Sequence, residues 1–202
     1  MNILLLIFYL LFPPVAAQGF VTERPSQWGA DVSTSLVDRA TAERFVMPGT
    51  GTMEISEIGL YFKCSAVTLD YFKFGIFTDD AVNTCPDVIV ANSLTAEQST
   101  SDNTMQPHYV TYGTKPELTG GTVYWLAIIH KGVTLNFSRE NDTNTNGYGL
   151  VCSTGITYDT GFPTATQWET HTDNNEKTSF WAVYASTEAS TAKRLLLLGA
   201  GK

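Results

Sequence analysis

The chain has 202 residues, of which 43% are apolar and 16% charged, and its formal net charge is -8 at pH 7. With a mean hydropathy of -0.04, this composition excludes an intrinsically disordered chain and a polytopic membrane protein. No stretch concentrates Lys and Arg, which excludes a protein that binds nucleic acid mainly by neutralising phosphates.

The N-terminal residues have the pattern of a secretory signal peptide. An apolar run at residues 3–12 is followed by Pro13-Pro14 and by the small residues 15–17. This order predicts a signal segment over residues 1–17, cleaved after Ala17. About ten apolar residues are too few to cross ~30 Å of hydrocarbon as a helix. The sequence therefore predicts a secreted or cell-surface protein without a stable membrane span in the mature chain.

The remaining chain divides into an extended lead-in (18–39), a β-sandwich domain (40–186) and a C-terminal tail (187–202). Residues 35–46 fit either a helix face or a strand. After them, apolar and polar residues alternate with the period of a half-buried strand. The predicted strands are 53–63, 69–78, 88–91, 108–112, 122–130, 149–153 and 178–184.

These short strands, separated by turn residues and without helical patterns between them, predict an all-β fold. The expected architecture is an antiparallel two-sheet β-sandwich. Residues 122–130 are apolar on both faces, which predicts a central strand covered on both sides. We expect Leu60, Phe74 and Trp125 to face the interior between the two sheets.

Four stretches have a familiar pattern: 43–61, 74–80, 118–127 and 180–184. They resemble the strands of jelly-roll modules that occur in secreted bacterial and phage-associated proteins and are similar to carbohydrate-binding-module sandwiches. The resemblance covers about residues 40–186, and it implies a jelly-roll sandwich rather than one activity, because such sandwiches have many roles. The basic-leucine ending Lys193–Leu198 resembles the ends of some phage virion proteins.

Three cysteines, Cys64, Cys85 and Cys152, permit one disulfide and one leftover thiol in an oxidising compartment. If consecutive strands run up and down the sandwich, Cys64 and Cys85 lie at its opposite ends, about a strand length apart. That separation exceeds the ~7 Å between Cα atoms that a disulfide can bridge. Because Cys152 is predicted near the end of a strand that runs toward the Cys85 end of the sandwich, we predict a Cys85–Cys152 disulfide, with Cys64 free or buried.

Oxygen-bearing side chains cluster after the second predicted strand, at Asp79, Asp80 and Asn83. Carboxylate and amide oxygens in a loop are the ligands that Ca²⁺ prefers. The sequence thus offers a structural calcium site here; the alternative is a solvated turn. No other cofactor is predicted.

Aromatic side chains offer a ligand surface. Tyr61 and Tyr71 are predicted on the outward face of adjacent strands, and Trp168 in a loop. Planar rings beside hydrogen-bonding groups stack on sugar rings, which predicts binding of a polysaccharide or surface glycan. The alternative is a cross-strand pair that only stabilises the sheet.

Motifs for catalysis are missing from the sequence. It has no Gly-x-Ser-x-Gly, and nothing fixes two carboxylates opposite each other. The sequence predicts a non-enzymatic, exported β-sandwich that serves as a surface binding or structural module, with carbohydrate as its ligand. The alternative is a virion or filament subunit that self-associates through its terminal segments, because four consecutive Leu in the tail should not stay in water.

Overall fold

The computed structural model describes residues 19–22, 24, 40–64, 69–131, 135–137, 139–141, 151–153, 158–170 and 176–187. Within these residues the chain forms β-strands and two 3₁₀ turns, Tyr158–Thr160 and Ala165–Gln167, but no α-helix. The predicted signal segment and most of the lead-in and tail lie outside the described residues. The strands are β1 (Gly19–Val21), β2 (Ala40–Val46), β3 (Thr52–Cys64), β4 (Asp70–Asp80), β5 (Cys85–Ile89), β6 (Gln98–Thr100), β7 (Gln106–Thr111), β8 (Glu117–Thr119), β9 (Val123–Lys131), β10 (Leu135–Phe137), β11 (Arg139–Asn141), β12 (Val151–Ser153), β13 (Trp168–Thr170), β14 (Glu176–Thr178) and β15 (Phe180–Ser186).

The strands form two main sheets. In sheet I, the long strand β3 pairs with β15 and β10, and also with β7 and β8, while β1 pairs in parallel with β15. In sheet II the order is β13-β12-β2-β9-β4-β5, and β6 also pairs with β4. A separate ribbon contains β11 and β14. The predicted all-β architecture with two sheets is confirmed, and the ambiguous segment 35–46 contains a strand from Ala40.

The main core lies between the two sheets. Alternate residues of β3 and β4 point into it, so that Leu60 and Phe74 are fully buried as predicted. Burial of each such side chain contributes about 1.5–3 kcal/mol relative to exposure. The core therefore fixes which face of each strand is turned outward.

The position of Trp125 differs from the prediction. Tyr124 and Leu126 face the core, so Trp125 points to the outer face of sheet II, where a second buried cluster includes Tyr158 and Trp168. The expectation that Trp125 faces the interior between the sheets is therefore wrong, although the side chain is buried. Because β9 is apolar on both faces, its alternation does not tell which face is the inner one.

Two hydroxyl side chains of the loop after β5, those of Ser93 and Thr95, bond to the backbone of β4 in sheet II. The Ser93 hydroxyl accepts from the Ile76 amide at 3.1 Å and donates to the Ile76 carbonyl at 2.9 Å. The Thr95 hydroxyl accepts from the Phe74 amide at 2.9 Å, and the Thr95 amide donates back to the Phe74 carbonyl at 3.0 Å. These bonds satisfy buried backbone groups and fix the loop that follows β5.

Candidate binding groove

An apolar groove of about 470 Å³ lies on the outer face of sheet II. It runs between β5 and the segment 158–168, which we call the cover segment. The volume falls within the ~300–1,000 Å³ typical of ligand sites. The lining residues used below are Lys73, Phe77, Asp87, Val88, Ile89, Leu94, Phe162 and Thr164.

Polar contacts hold the start of the cover segment on sheet II. The Tyr158 hydroxyl donates to Glu97 Oε2 at 2.8 Å, and the Lys73 ammonium lies 4.6 Å from the centroid of the Tyr158 ring. Burial, together with the bond to Glu97, raises the pKa of Tyr158. The Lys131 ammonium donates to Asp159 at 2.9 Å. One wall of the groove is thus fixed to the sheet.

Aromatic rings form the floor. The ring of Phe77 packs edge-on against Phe162 and Trp168, with centroid distances of 5.2 and 6.0 Å. Gly75 leaves the space for them, since a Cβ there would lie 3.2 Å from the Phe77 ring and 3.4 Å from the Phe162 ring. The floor is a packed apolar surface rather than an opening into the core.

The other wall consists of exposed aliphatic side chains. Val88, Ile89 and Leu94 are 59%, 37% and 54% exposed. β5 is the last strand at its end of the sheet II path, and the Thr78 hydroxyl bonds to both the amide and the carbonyl of Val88. Clustered apolar side chains beside an edge strand are typical of an interaction surface.

The three aromatic residues predicted to bind a ligand are not brought together. Tyr61 lies on the outer face of sheet I, only 3% exposed, with its ring 5.1 Å from that of Trp181. Tyr71 is partly buried on the outer face of sheet II. Trp168, predicted in a loop, is instead the first residue of β13 and is only 7% exposed. The expectation that Tyr61 and Tyr71 lie side by side is wrong, because β3 and β4 belong to different sheets. Their role in ligand binding stays a prediction.

Asp79 is engaged by two donors. Arg44 donates to its two carboxylate oxygens at 3.0 and 2.8 Å, and the Trp125 indole donates to Oδ1 at 2.8 Å. Burial alone would raise the pKa of Asp79, but these hydrogen bonds hold it below its usual range. A cation at this carboxylate would compete with Arg44.

Asp80 and Asn83 build the turn after β4. Asp80 Oδ1 accepts from the amides of Val82 and Asn83 at 2.9 and 3.2 Å, and Oδ2 accepts from the Asn83 side chain at 2.6 Å. These bonds lower the pKa of Asp80. Within the described residues, no three His, Cys, Asp or Glu side chains are arranged to hold a metal ion. The calcium site at Asp79, Asp80 and Asn83 stays a prediction.

The structure holds Cys64 and Cys85 as buried thiols. Burial raises the pKa of both, that of Cys64 to about 11. Only the backbone of Cys152 is described, paired with Thr41 and Glu169. No disulfide occurs among the described side chains, and the Cys85–Cys152 bond stays a prediction.

Neither a protein-family model nor a curated protein matches this chain. Nowhere in the described part of the chain is there a helix with the length and apolarity that a membrane crossing requires.

Proposed function

We propose that this protein is a non-enzymatic, exported β-sandwich module that binds an extended apolar segment of a protein partner in the groove. The observation that carries this proposal is the exposed aliphatic wall of Val88, Ile89 and Leu94 beside the edge strand β5. An edge strand offers main-chain groups to an added strand, and an adjacent pocket accepts alternate side chains of that strand.

The chemistry of the buried groups supports a binding role. Asp79 is paired with Arg44 and Trp125, and the pKa of Cys64 is raised to about 11 by burial and by the charges of Asp70 and Asp102. A thiol with such a pKa is protonated near neutral pH and is a poor nucleophile. These groups stabilise the fold rather than offering an activated nucleophile.

Export and the finer topology belong to the same proposal. The signal-like pattern of residues 1–17 supports export to an extracellular surface. The transfer of the chain from sheet II to sheet I and back along β2, β3 and β4 supports a jelly-roll connectivity.

The proposal is tested with a phage-displayed library of random peptides selected on the full-length chain. We expect enrichment of extended apolar sequences that Val88→Lys abolishes. Leu69→Lys is the matched control, because Leu69 is 52% exposed but does not line the groove. Enrichment that Val88→Lys leaves unchanged, or no enrichment at all, contradicts the proposal.

Carbohydrate is the second candidate ligand. The half-buried ring of Phe162 lies in the same groove as Asp87 and Thr164, which places an aromatic surface near hydrogen-bonding groups. A glycan array probed with the full-length chain and with the Val88→Lys and Leu69→Lys variants decides between the two. Glycan binding lost only in the groove variant favours carbohydrate over the peptide.

A further inference from the structure

We infer that the segment bound in the groove is the Leu195–Leu198 stretch of a second copy of this chain. This inference rests on the proposed function and names its partner. It makes the protein a self-assembling subunit, in which each copy presents one groove and one tail.

The apolar character of the two surfaces matches. The tail carries four consecutive Leu, and the groove offers the aliphatic side chains of Val88, Ile89 and Leu94 above the ring of Phe77. Val88 and Leu94 of the groove are exposed to water, and contact with an apolar segment removes their area from it.

Charge at the rim also matches. The four Leu follow Lys193 and Arg194, and Asp87 lines the groove as an exposed carboxylate. The Lys73 ammonium of the groove lies over the Tyr158 ring. In a chain of net charge -8, a basic segment is attracted to any other copy, and the rim carboxylate adds a local partner.

The reach of the tail favours a second copy over the same chain. The described chain ends at Thr187, whose amide donates to the Thr52 carbonyl in sheet I at 3.1 Å. Residues 188–194 span at most about 25 Å when extended. The groove lies on the far side of sheet II, beyond ~10 Å of sheet spacing and at the β5 end. To reach the groove of its own chain, the tail would therefore have to pass around an edge of the sandwich.

A groove and a tail at different places on one molecule make a head-to-tail contact. Such contacts produce rings or open filaments rather than closed two-fold dimers. We therefore expect the full-length chain to form species larger than dimers as its concentration rises.

The test is a complementation experiment with two full-length variants. Val88→Lys blocks the groove and keeps the tail, whereas the double variant Leu196→Asp/Leu197→Asp blocks the tail and keeps the groove. Light scattering after size exclusion should find each variant monomeric alone and a 1:1 heterodimer in the mixture. The control variant Leu69→Lys should assemble like the unaltered chain.

Each outcome is decisive. Two monomers that stay monomers when mixed overturn the inference, as does a tail variant that still assembles. If the peptide library binds the groove while complementation fails, the partner is a foreign segment and the proposed function stands. If neither binds, the proposed function fails as well. If the unaltered chain stays monomeric and Val88 is protected from labelling to the same extent at every protein concentration, the tail binds the groove of its own chain. That outcome also overturns the inference that the partner is a second copy.

Discussion

The indole nitrogen of Trp125 donates a hydrogen bond to the carboxylate of Asp79 at 2.8 Å on the outer face of sheet II. Sheet I repeats the arrangement on its own outer face, where the Trp181 indole donates to Glu57 Oε1 at 3.0 Å. In both places a guanidinium completes the unit: Arg44 binds Asp79 through two nitrogens, and Arg24 binds Glu57 in the same way. The two largest buried side chains thus lie outside the main core, each fixed by a charge pair.

The first prediction concerns Asp79→Ala. This substitution removes the acceptor of the buried Trp125 indole, and an unsatisfied buried donor costs about 1–3 kcal/mol. We expect the free energy of unfolding, measured with urea, to fall by about 2–3 kcal/mol. Asp87→Ala, at an exposed site, is the control and should leave the midpoint nearly unchanged. Equal losses in the two variants contradict the structural role of Asp79.

The second prediction compares two glycines. A Cβ on Gly59 would lie 2.3 Å from Trp181 Cζ2 and 2.8 Å from the His108 carbonyl oxygen. Gly113 is the matched control, since a Cβ there meets nothing within 4 Å. Overpacking costs about 1–3 kcal/mol, so Gly59→Ala should lower the thermal midpoint and the near-ultraviolet dichroism of tryptophan. Gly113→Ala should change neither; a stable Gly59→Ala variant would show that Trp181 does not rest on this backbone.

The third prediction is a pH dependence of stability that comes from His108. Its ring stacks on Phe62 with a centroid distance of 4.0 Å. Burial lowers its pKa, and the nearby Asp102 carboxylate opposes the shift. The unfolded chain therefore binds a proton at about pH 6.5 that the folded chain does not accept until a lower pH. The free energy of unfolding should fall as the pH decreases from about 6.5 to the lowered pKa of the folded state.

Two variants test that assignment. His108→Gln should flatten the stability curve below about pH 6.5. Asp102→Asn removes the charge that favours the protonated ring, and should extend the decline to lower pH. An unaltered slope in His108→Gln would assign the decline to another group.

The fourth prediction concerns the thiols. With a pKa of about 11, Cys64 exists as thiolate in only about 0.1% of molecules at pH 8, and it is buried. We expect its reaction with a thiol reagent to be at least tenfold slower in the folded protein than in urea. A non-reducing peptide map of the protein expressed in an oxidising compartment should recover a Cys85–Cys152 fragment. A fragment that links Cys64 to either cysteine refutes the pairing.

The sequence predicts the longer strands, such as β3, β4 and β9, but neither the three-residue strands β6, β10 and β11 nor the distribution of strands between the sheets. Alternation in β3 and β4 correctly predicted that Leu60 and Phe74 are buried in the core. Alternation is a local signal, however, and pairing depends on contacts between distant residues. For that reason Tyr61 and Tyr71, ten residues apart in the sequence, were expected to be neighbours but lie in different sheets.

The groove has only faint traces in the sequence. Leu94 interrupts a polar stretch, and Phe162-Pro163 precedes Trp168 in a segment without periodicity. Neither feature shows that the cover segment crosses the outer face of sheet II. That placement depends on Tyr158, which bonds to Glu97 from 61 positions away.

The most direct test of the account is an NMR titration of the ¹⁵N-labelled full-length variant Leu196→Asp/Leu197→Asp with a peptide that spans residues 190–202. The groove is predicted to bind the peptide, so the largest amide shift changes should fall on Asp87–Ile89 and Leu94 and on Gly161, Phe162 and Thr164, with few in sheet I. Changes centred on the Trp181 face of sheet I, or no saturable change at millimolar peptide, would contradict it.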